Sequence, residues 1–355
     1  WKHILTDQFH DIIPGSSIHE VYEDSRKDYA YIEGIAREVE EKAYAHITEK
    51  KENTYTVFNA SGWTMSQIVV LPQEQDGIFM DEEGNQLISQ KGQGVTYVEV
   101  KDVPSMGVKT IFFKEEAGEC PGEKVSFKEG AEECAAGCGT EKPFRSKGIP
   151  EKNTNFAAEA GMRDREIETP YYQISLNQYG QITRLYDKTC ARDVIPEGQR
   201  ANVLQVFEDK PLNFDAWDID SNYREQEACT ARADTLELLK EEGFSVSVRW
   251  TGSIGRSAVT QVITLRTGSP VAEFDTMIQW RELHRLLKVE FPVDVRAENA
   301  IHEIQFGYVE RPTHRSRGYD QQRFEVCNHR YTALCDNSHG CAVLNDCKYG
   351  VGVEQ

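Results

Sequence analysis

The sequence is poor in positive charge: 40 Lys and Arg stand against 59 Asp and Glu, a formal net charge of −19. A field of that sign repels phosphate backbones and anionic lipid surfaces, so nucleic-acid and membrane partners are not expected. Long hydrophobic runs are absent as well; no stretch approaches the roughly 18 apolar residues that read as a membrane-spanning helix. Cysteine is sparse, with nine in 355 residues at irregular spacings. A secreted disulfide framework is shorter, denser and even-numbered, so reduced thiols in a cytoplasm are expected. No charged n-region and apolar h-region are visible, and the chain opens on Trp1 without an initiator Met, so it is expected to be a piece of a longer protein. Internal repeats, a glycine-rich phosphate loop and a Ser-His-Asp or Cys-His arrangement are also missing.

What is present describes a globular protein. Hydrophobic residues make up 39% and charged residues 28%, enough for a sizeable core. At about 100–200 residues per domain, this length implies two or three domains. Residues 1–52 read as a helical-bundle segment: after Pro14-Gly15, Ser16 and Ser17 offer a capping hydroxyl. Val21, Tyr29, Ile32, Ala36, Val39, Ala43 and Ile47 then recur at helical spacing, a stripe that must dock on something. From Tyr55 the period changes to two, and residues 53–113 read as a small β domain. Residues 114–168, rich in Glu, Gly, Lys and Ala, read as a flexible linker or insert. Residues 169–355 alternate almost throughout and predict a large antiparallel β-sandwich, with Asn177-Gln-Tyr-Gly180 as a tight turn. The fold class is therefore mainly β.

Several polar groups could carry chemistry. His10 beside Asp11 pairs an imidazole suited to a metal with a carboxylate suited to hydroxyls, although a partly buried structural His has the same signature. Asp218, Asp220 and Asn222 match the opening of a calcium loop, but Tyr223 stands where that loop needs Gly, which excludes it. A sugar-facing loop around Trp217 and an Asp-rich turn both remain open. Arg311, His314, Asn345 and Lys348, near strand ends, could line a polar pocket or sit in solvent. Cys120, Cys134 and Cys138, and separately Cys335, His339, Cys341 and Cys347, have ligand-type side chains but equally suit packing.

Taken together, some of these segments resemble a known family. Gln8-Phe-His-Asp-Ile-Ile-Pro-Gly-Ser-Ser-Ile18, Val206-Phe-Glu-Asp-Lys-Pro211, Asp215-Ala-Trp-Asp-Ile-Asp220 and Leu286-Leu-Lys-Val-Glu-Phe-Pro-Val-Asp294 occur in order. Gln305-Phe-Gly-Tyr-Val-Glu-Arg-Pro-Thr-His314 and Leu344-Asn-Asp-Cys-Lys-Tyr-Gly350 follow. This series resembles glycoside hydrolase family 38, in its cytosolic or bacterial α-mannosidase branch. The resemblance implies a retaining exo-α-mannosidase that uses a divalent metal, most often Zn2+, to hold terminal mannose of an oligosaccharide. By position, His10 matches a metal-binding His and Asp11 the neighbouring carboxylate that holds mannose hydroxyls; Arg311, His314, Asn345 and Lys348 are lesser substrate-binding candidates. The family's nucleophilic Asp, its acid/base carboxylate and the other metal ligands belong to an N-terminal α/β domain, so no catalytic residue is expected within this chain and the piece alone is expected to be inactive. A homo-oligomer stays open as a partner. The rival expectation is a non-catalytic carbohydrate-binding or structural β-sandwich module.

Overall fold

The computed structural model describes residues 1–48, 51–91, 94–115, 145–147, 165–215, 217–242, 245–266 and 269–354. These belong to two compact units, Trp1–Pro143 with Glu242–Phe244, and Phe144–Glu241 with Ser245–Gln355. Strands account for 47% and helices for 15%, so the protein is mainly β, as expected.

The first unit opens on helices α1 (Lys2–Asp7) and α2 (His19–Ile47). Ion pairs one turn apart favour α2 locally: His19–Glu23 at 3.2 Å, Glu33–Arg37 at 3.8 Å and Glu38–Lys42 at 2.5 Å. Each of the exposed Glu–Arg and Glu–Lys pairs contributes about 0.3–0.5 kcal/mol. None of the helix's 29 residues is buried, and Tyr29, Val39 and Ile47 of its apolar stripe are exposed. The expected serine cap is not formed. The N-cap residue is Ile18, without a side-chain cap, because the Ser17 hydroxyl instead donates to the Asp11 carbonyl at 2.7 Å.

Among the described residues of this unit, seven strands follow: β1 (Thr54–Asn59), β2 (Met65–Leu71), β3 (Gly77–Met80), β4 (Gln86–Leu87), β5 (Ser89–Lys91), β6 (Thr96–Val103) and β7 (Gly107–Glu115). They form two sheets, ordered β1-β7-β3-β4 and β2-β6-β5. The period-two pattern is the cause: Val98 and Val100 fall on one face of β6 and are fully buried with Phe79, Val103 and Ile111.

The second unit begins with β8 (Arg145–Lys147), β9 (Arg165–Glu168), β10 (Tyr172–Leu176), β11 (Ile182–Asp187) and β12 (Arg192–Asp193), a sheet ordered β12-β11-β10-β9-β8. Strands β8 and β9 fall within the stretch read from sequence as a linker. β9 pairs antiparallel with β10 and buries Ile167. One apolar side chain among charges carries too weak a pattern to be read as a strand. Cys120, Cys134 and Cys138 lie outside the described residues.

Next come β13 (Val203–Glu208), β14 (Glu227–Thr230), β15 (Arg232–Glu242), β16 (Ser245–Ile254), β17 (Ser257–Arg266), β18 (Ser269–Gln279) and β19 (Arg285–Glu290). They make the sheets β14-β13-β19 and β15-β16-β17-β18. β19 stops short of Pro292, which has no N–H to give to a ladder. Inward side chains of these sheets and of the β10 sheet share one core, in which Ile174, Leu176, Val206, Leu236, Val246 and Trp250 are each at most 2% exposed. The core contains one polar cluster. Trp250 Nε1 donates to Gln261 Oε1 at 2.8 Å, and Gln261 Nε2 donates to Thr276 Oγ1 at 2.8 Å and to Asn202 Oδ1 at 3.2 Å. Asn202 Nδ2 closes the network on Gln261 Oε1 at 2.6 Å and on the Gly180 carbonyl at 3.1 Å. Fully satisfied, such a network specifies one packing instead of destabilising it.

The chain ends with β20 (Asn299–Ile304), β21 (Gly307–Pro312), helix α3 (Gly318–Gln322), β22 (Val326–Cys327), β23 (Tyr331–Cys335), β24 (Gly340–Leu344) and β25 (Gly350–Val351). Their sheets run β21-β20-β23-β24 and β22-β25.

Candidate functional site

His10 and Asp11 occupy the turn that follows α1. Phe9 N–H donates to the Thr6 carbonyl at 3.1 Å, and Ile12 and Ile13 N–H to the Phe9 carbonyl at 2.9 and 3.2 Å. Gly15, at φ +82°, ends the turn where an L side chain would be strained. The backbone of Asp11 is pinned: its carbonyl accepts from Ser17 Oγ at 2.7 Å and from the Tyr22 hydroxyl at 3.3 Å. The side chains are left free by comparison. The His10 imidazole is 73% exposed, with Nε2 3.5 Å from Asp11 Oδ1, and its ring leans on Phe9 at 4.3 Å between centroids. Asp11 Oδ1 is buried without a hydrogen-bond partner, and so is Oδ2 of Asp7, which stands one helical turn earlier. Sequence reading passed over Asp7, whose i, i+4 spacing to Asp11 was the available signal. An open imidazole beside orphaned carboxylate oxygens suits a divalent ion or sugar hydroxyls. Among the described residues, His10 belongs to no group of three close ligand atoms.

The other candidates lie in the second unit and separate into two places. Arg311, on β21, and His314 line a small recess with Ala300, His302, Thr313 and Asp320. Arg311 donates to the Cys327 carbonyl at 3.0 Å, and His314 Nδ1 meets Ser316 Oγ at 2.9 Å. Asp320 is held below the usual carboxylate range, first by its hydrogen bond from Arg317, Nε to Oδ2 at 2.8 Å. His302 is 1% exposed, and burial, with the Arg311 charge, pushes its imidazole down to about 4. Neither His302 nor Asp320 carries a sequence signal; each reads as an ordinary polar residue near a strand. Asn345 and Lys348 do not line this recess. Asn345 Oδ1 accepts the Lys348 N–H at 2.7 Å, and Lys348 Nζ reaches Cys347 Sγ at 2.9 Å, so the two build a turn of their own.

The Asp215–Asn222 segment is likewise folded as turns. Trp217 and Asp218 N–H both donate to the Phe214 carbonyl, at 2.9 and 3.0 Å, and Phe214 takes φ +59°. Trp217 is exposed. Asp209 is pushed above the usual carboxylate range by burial and by the charge of Asp215.

The sequence profile of the glycosyl hydrolases family 38 C-terminal domain matches residues 167–355, more than half of the chain. The chain belongs to glycoside hydrolase family 38. The profile of the alpha mannosidase middle domain matches residues 1–47, the segment that holds His10 and Asp11. Alpha-mannosidase 2C1 of Homo sapiens is 28% identical over 99% of this family 38 chain, which covers 30% of that protein. Alpha-mannosidase G of Dictyostelium discoideum is 28% identical over 99% of the chain and 33% of its own length. The chain thus spans about a third of the curated relatives it matches. The crystal structure of an alpha-mannosidase from Enterococcus faecalis V583 superposes with a TM-score of 0.70 over 99% of this chain and 45% of that one; at 14% identity it supports the fold alone. No helix among the described residues is long and apolar enough to cross a membrane.

Proposed function

We propose that this chain is the part of a retaining, metal-dependent exo-α-mannosidase that contributes a metal ligand, His10, and a sugar-holding carboxylate, Asp11. The single observation that carries the reading is the exposed His10 imidazole beside the orphaned Asp11 Oδ1, in a segment matched by the alpha mannosidase middle domain. A divalent ion, zinc by its affinity for imidazole and carboxylate, would polarise vicinal hydroxyls of a terminal mannose when bound. His10 Nε2 would offer its lone pair to that ion, and Asp11 would accept hydrogen bonds from the sugar hydroxyls and orient the ring. The pinned Asp11 backbone limits how far this carboxylate can wander, which favours a defined sugar pose. A retaining mechanism also needs two carboxyl groups about 5–5.5 Å apart across the scissile bond. We assign both to the portion of the enzyme outside these residues, so the chain alone is inactive. The substrate class is mannose-containing oligosaccharide, and the free thiols of the described residues suit a cytoplasmic enzyme. A homo-oligomer is compatible with this reading.

The test uses the full-length enzyme and an aryl α-mannoside. His10→Ala should lose activity together with the metal held at His10, and Asp11→Asn should lower kcat/KM with that metal retained. Undiminished, chelator-resistant turnover by His10→Ala overturns the metal assignment. Turnover by the 355-residue chain alone at the full-length rate overturns the assignment of the carboxyl pair. Mannose binding that ignores chelator and is lost on Trp217→Ala would favour the rival carbohydrate-binding module.

A further inference from the structure

The geometry points to a second divalent-metal site, formed by Asp187, Cys190 and His339 in the C-terminal β domain. These residues come from two turns that are far apart in sequence. One ligand atom from each lies within 4.8 Å of the other two. None of the comparisons assigns them a role, and the site does not depend on the function proposed above.

Each turn is locked before any ion arrives. At the end of β11, Asp187 Oδ1 accepts from Thr189 N–H at 2.7 Å, Thr189 Oγ1 at 2.6 Å and Cys190 N–H at 3.2 Å. This folds the chain back and returns Cys190 to the carboxylate. All three bonds fall on Oδ1, which leaves Oδ2 available as a ligand. In the β23–β24 hairpin, Asp336 Oδ1 accepts from Ser338 N–H at 2.7 Å and His339 N–H at 2.8 Å, and this fixes the backbone that carries the imidazole. Arg192 stands between the turns, with Nη1 3.9 Å from Asp336 Oδ2. Preorganisation of this kind lowers the ordering cost of binding.

A second observation points to a ligand. His339 Nε2 is buried and has no hydrogen-bond partner. A buried ring nitrogen without a partner is unfavourable, and a metal bound there would satisfy it. Sequence reading had grouped His339 with Cys335, Cys341 and Cys347; the fold groups it with Asp187 and Cys190 instead. One carboxylate, one thiolate and one imidazole form a donor set for zinc, whose bonds of about 2.0–2.3 Å place tetrahedral ligands about 3.3–3.8 Å apart. From within 4.8 Å of one another, the ligand atoms would need to draw together to reach that spacing. The fourth position falls to water, since Cys190 is exposed and Asp187 only 8% exposed. Coordination would release the Cys190 thiol proton to solvent.

Cobalt is the probe, because a thiolate ligand gives a near-ultraviolet charge-transfer band that His and Asp ligands do not. Purified protein stripped with chelator and titrated with Co2+ should develop that band, and Zn2+ should abolish it. Cys190→Ala and His339→Ala should each lose the band; Cys335→Ala and His10→Ala should keep it. In a His10→Ala background Zn2+ should raise the Tm, and adding Cys190→Ala should abolish that rise, a readout that also verifies folding of the variant. Absence of the band in folded wild-type protein overturns the assignment. So does a band that survives Cys190→Ala, or one that disappears only on Cys134→Ala.

Discussion

Gly180 lies against the indole of Trp250. A Cβ at this position would fall 2.5 Å from Trp250 Cδ1, and the backbone stands at φ +75°. The turn between β10 and β11 and the centre of the sandwich core therefore depend on one another. A glycine is required here twice, by conformation and by space. Gly180→Ala should lower unfolding free energy by about 2–4 kcal/mol, from overpacking and left-handed strain together. Urea denaturation of the C-terminal domain's Trp fluorescence measures it; a loss below about 0.5 kcal/mol would contradict the close contact.

Gln261 sits next in that contact chain. Gln261→Leu removes the acceptor of the Trp250 indole N–H and strands Asn202, both of which are buried. The expected cost is on the order of 2–5 kcal/mol, the sum of unsatisfied groups. The double variant Gln261→Leu with Asn202→Leu should recover part of it, and a strictly additive double variant would argue against a coupled network.

Tyr223 is buried at 4% exposure, and its hydroxyl donates to Glu325 Oε1 at 2.6 Å while it accepts from Arg224 Nε at 3.0 Å. Lys288 Nζ holds the other oxygen, Oε2, at 2.6 Å. Burial, helped by the Glu325 carboxylate, pushes the phenol up to about 12. Tyr223→Phe should cost about 1–3 kcal/mol, since a charged acceptor loses its donor. Burial pushes the Tyr172 phenol up to about 12 as well, so in ultraviolet pH titration the folded wild type should show at least two fewer tyrosines ionising near pH 10 than the unfolded chain.

His302 makes stability depend on pH. Burial, with the charge of Arg311, pushes its imidazole down to about 4 in the folded state, against 6.5 ordinarily. Between these values the unfolded chain binds the extra proton. The contribution is therefore complete above pH 6.5 and is lost as pH falls towards 4. Chemical denaturation across this window should show a decline that His302→Gln flattens, whatever that variant's stability at neutral pH. An equal decline in both proteins would remove His302 as the cause.

Much of this architecture was legible in the chain itself. Alternation alone placed β1, β2, β6, β10, β11, β16 and β17, because a strand that buries one face must repeat every second residue. The helical stripe from Val21 to Ile47 was equally plain, and α2 spans it. So was His10-Asp11, a pair of adjacent residues whose chemistry needs no partner from elsewhere to be noticed. Arg165–Glu168 falls in the stretch that reads as a linker, since its mixed charge masks the period and only pairing with β10 supplies the missing hydrogen bonds.

By itself, the sequence determined the mainly β class, the family and the place of the His10-Asp11 pair, all of them properties of neighbouring residues or of local period. Only the tertiary structure decided that Ser17 binds Asp11 and does not cap α2, that Gly180 must leave room for Trp250, and that His339 comes together with Asp187 and Cys190. Each of these joins side chains whose separation is set by how strands pair and sheets pack. A spacing along the chain carries no record of such a meeting, because it arises from the burial of other residues.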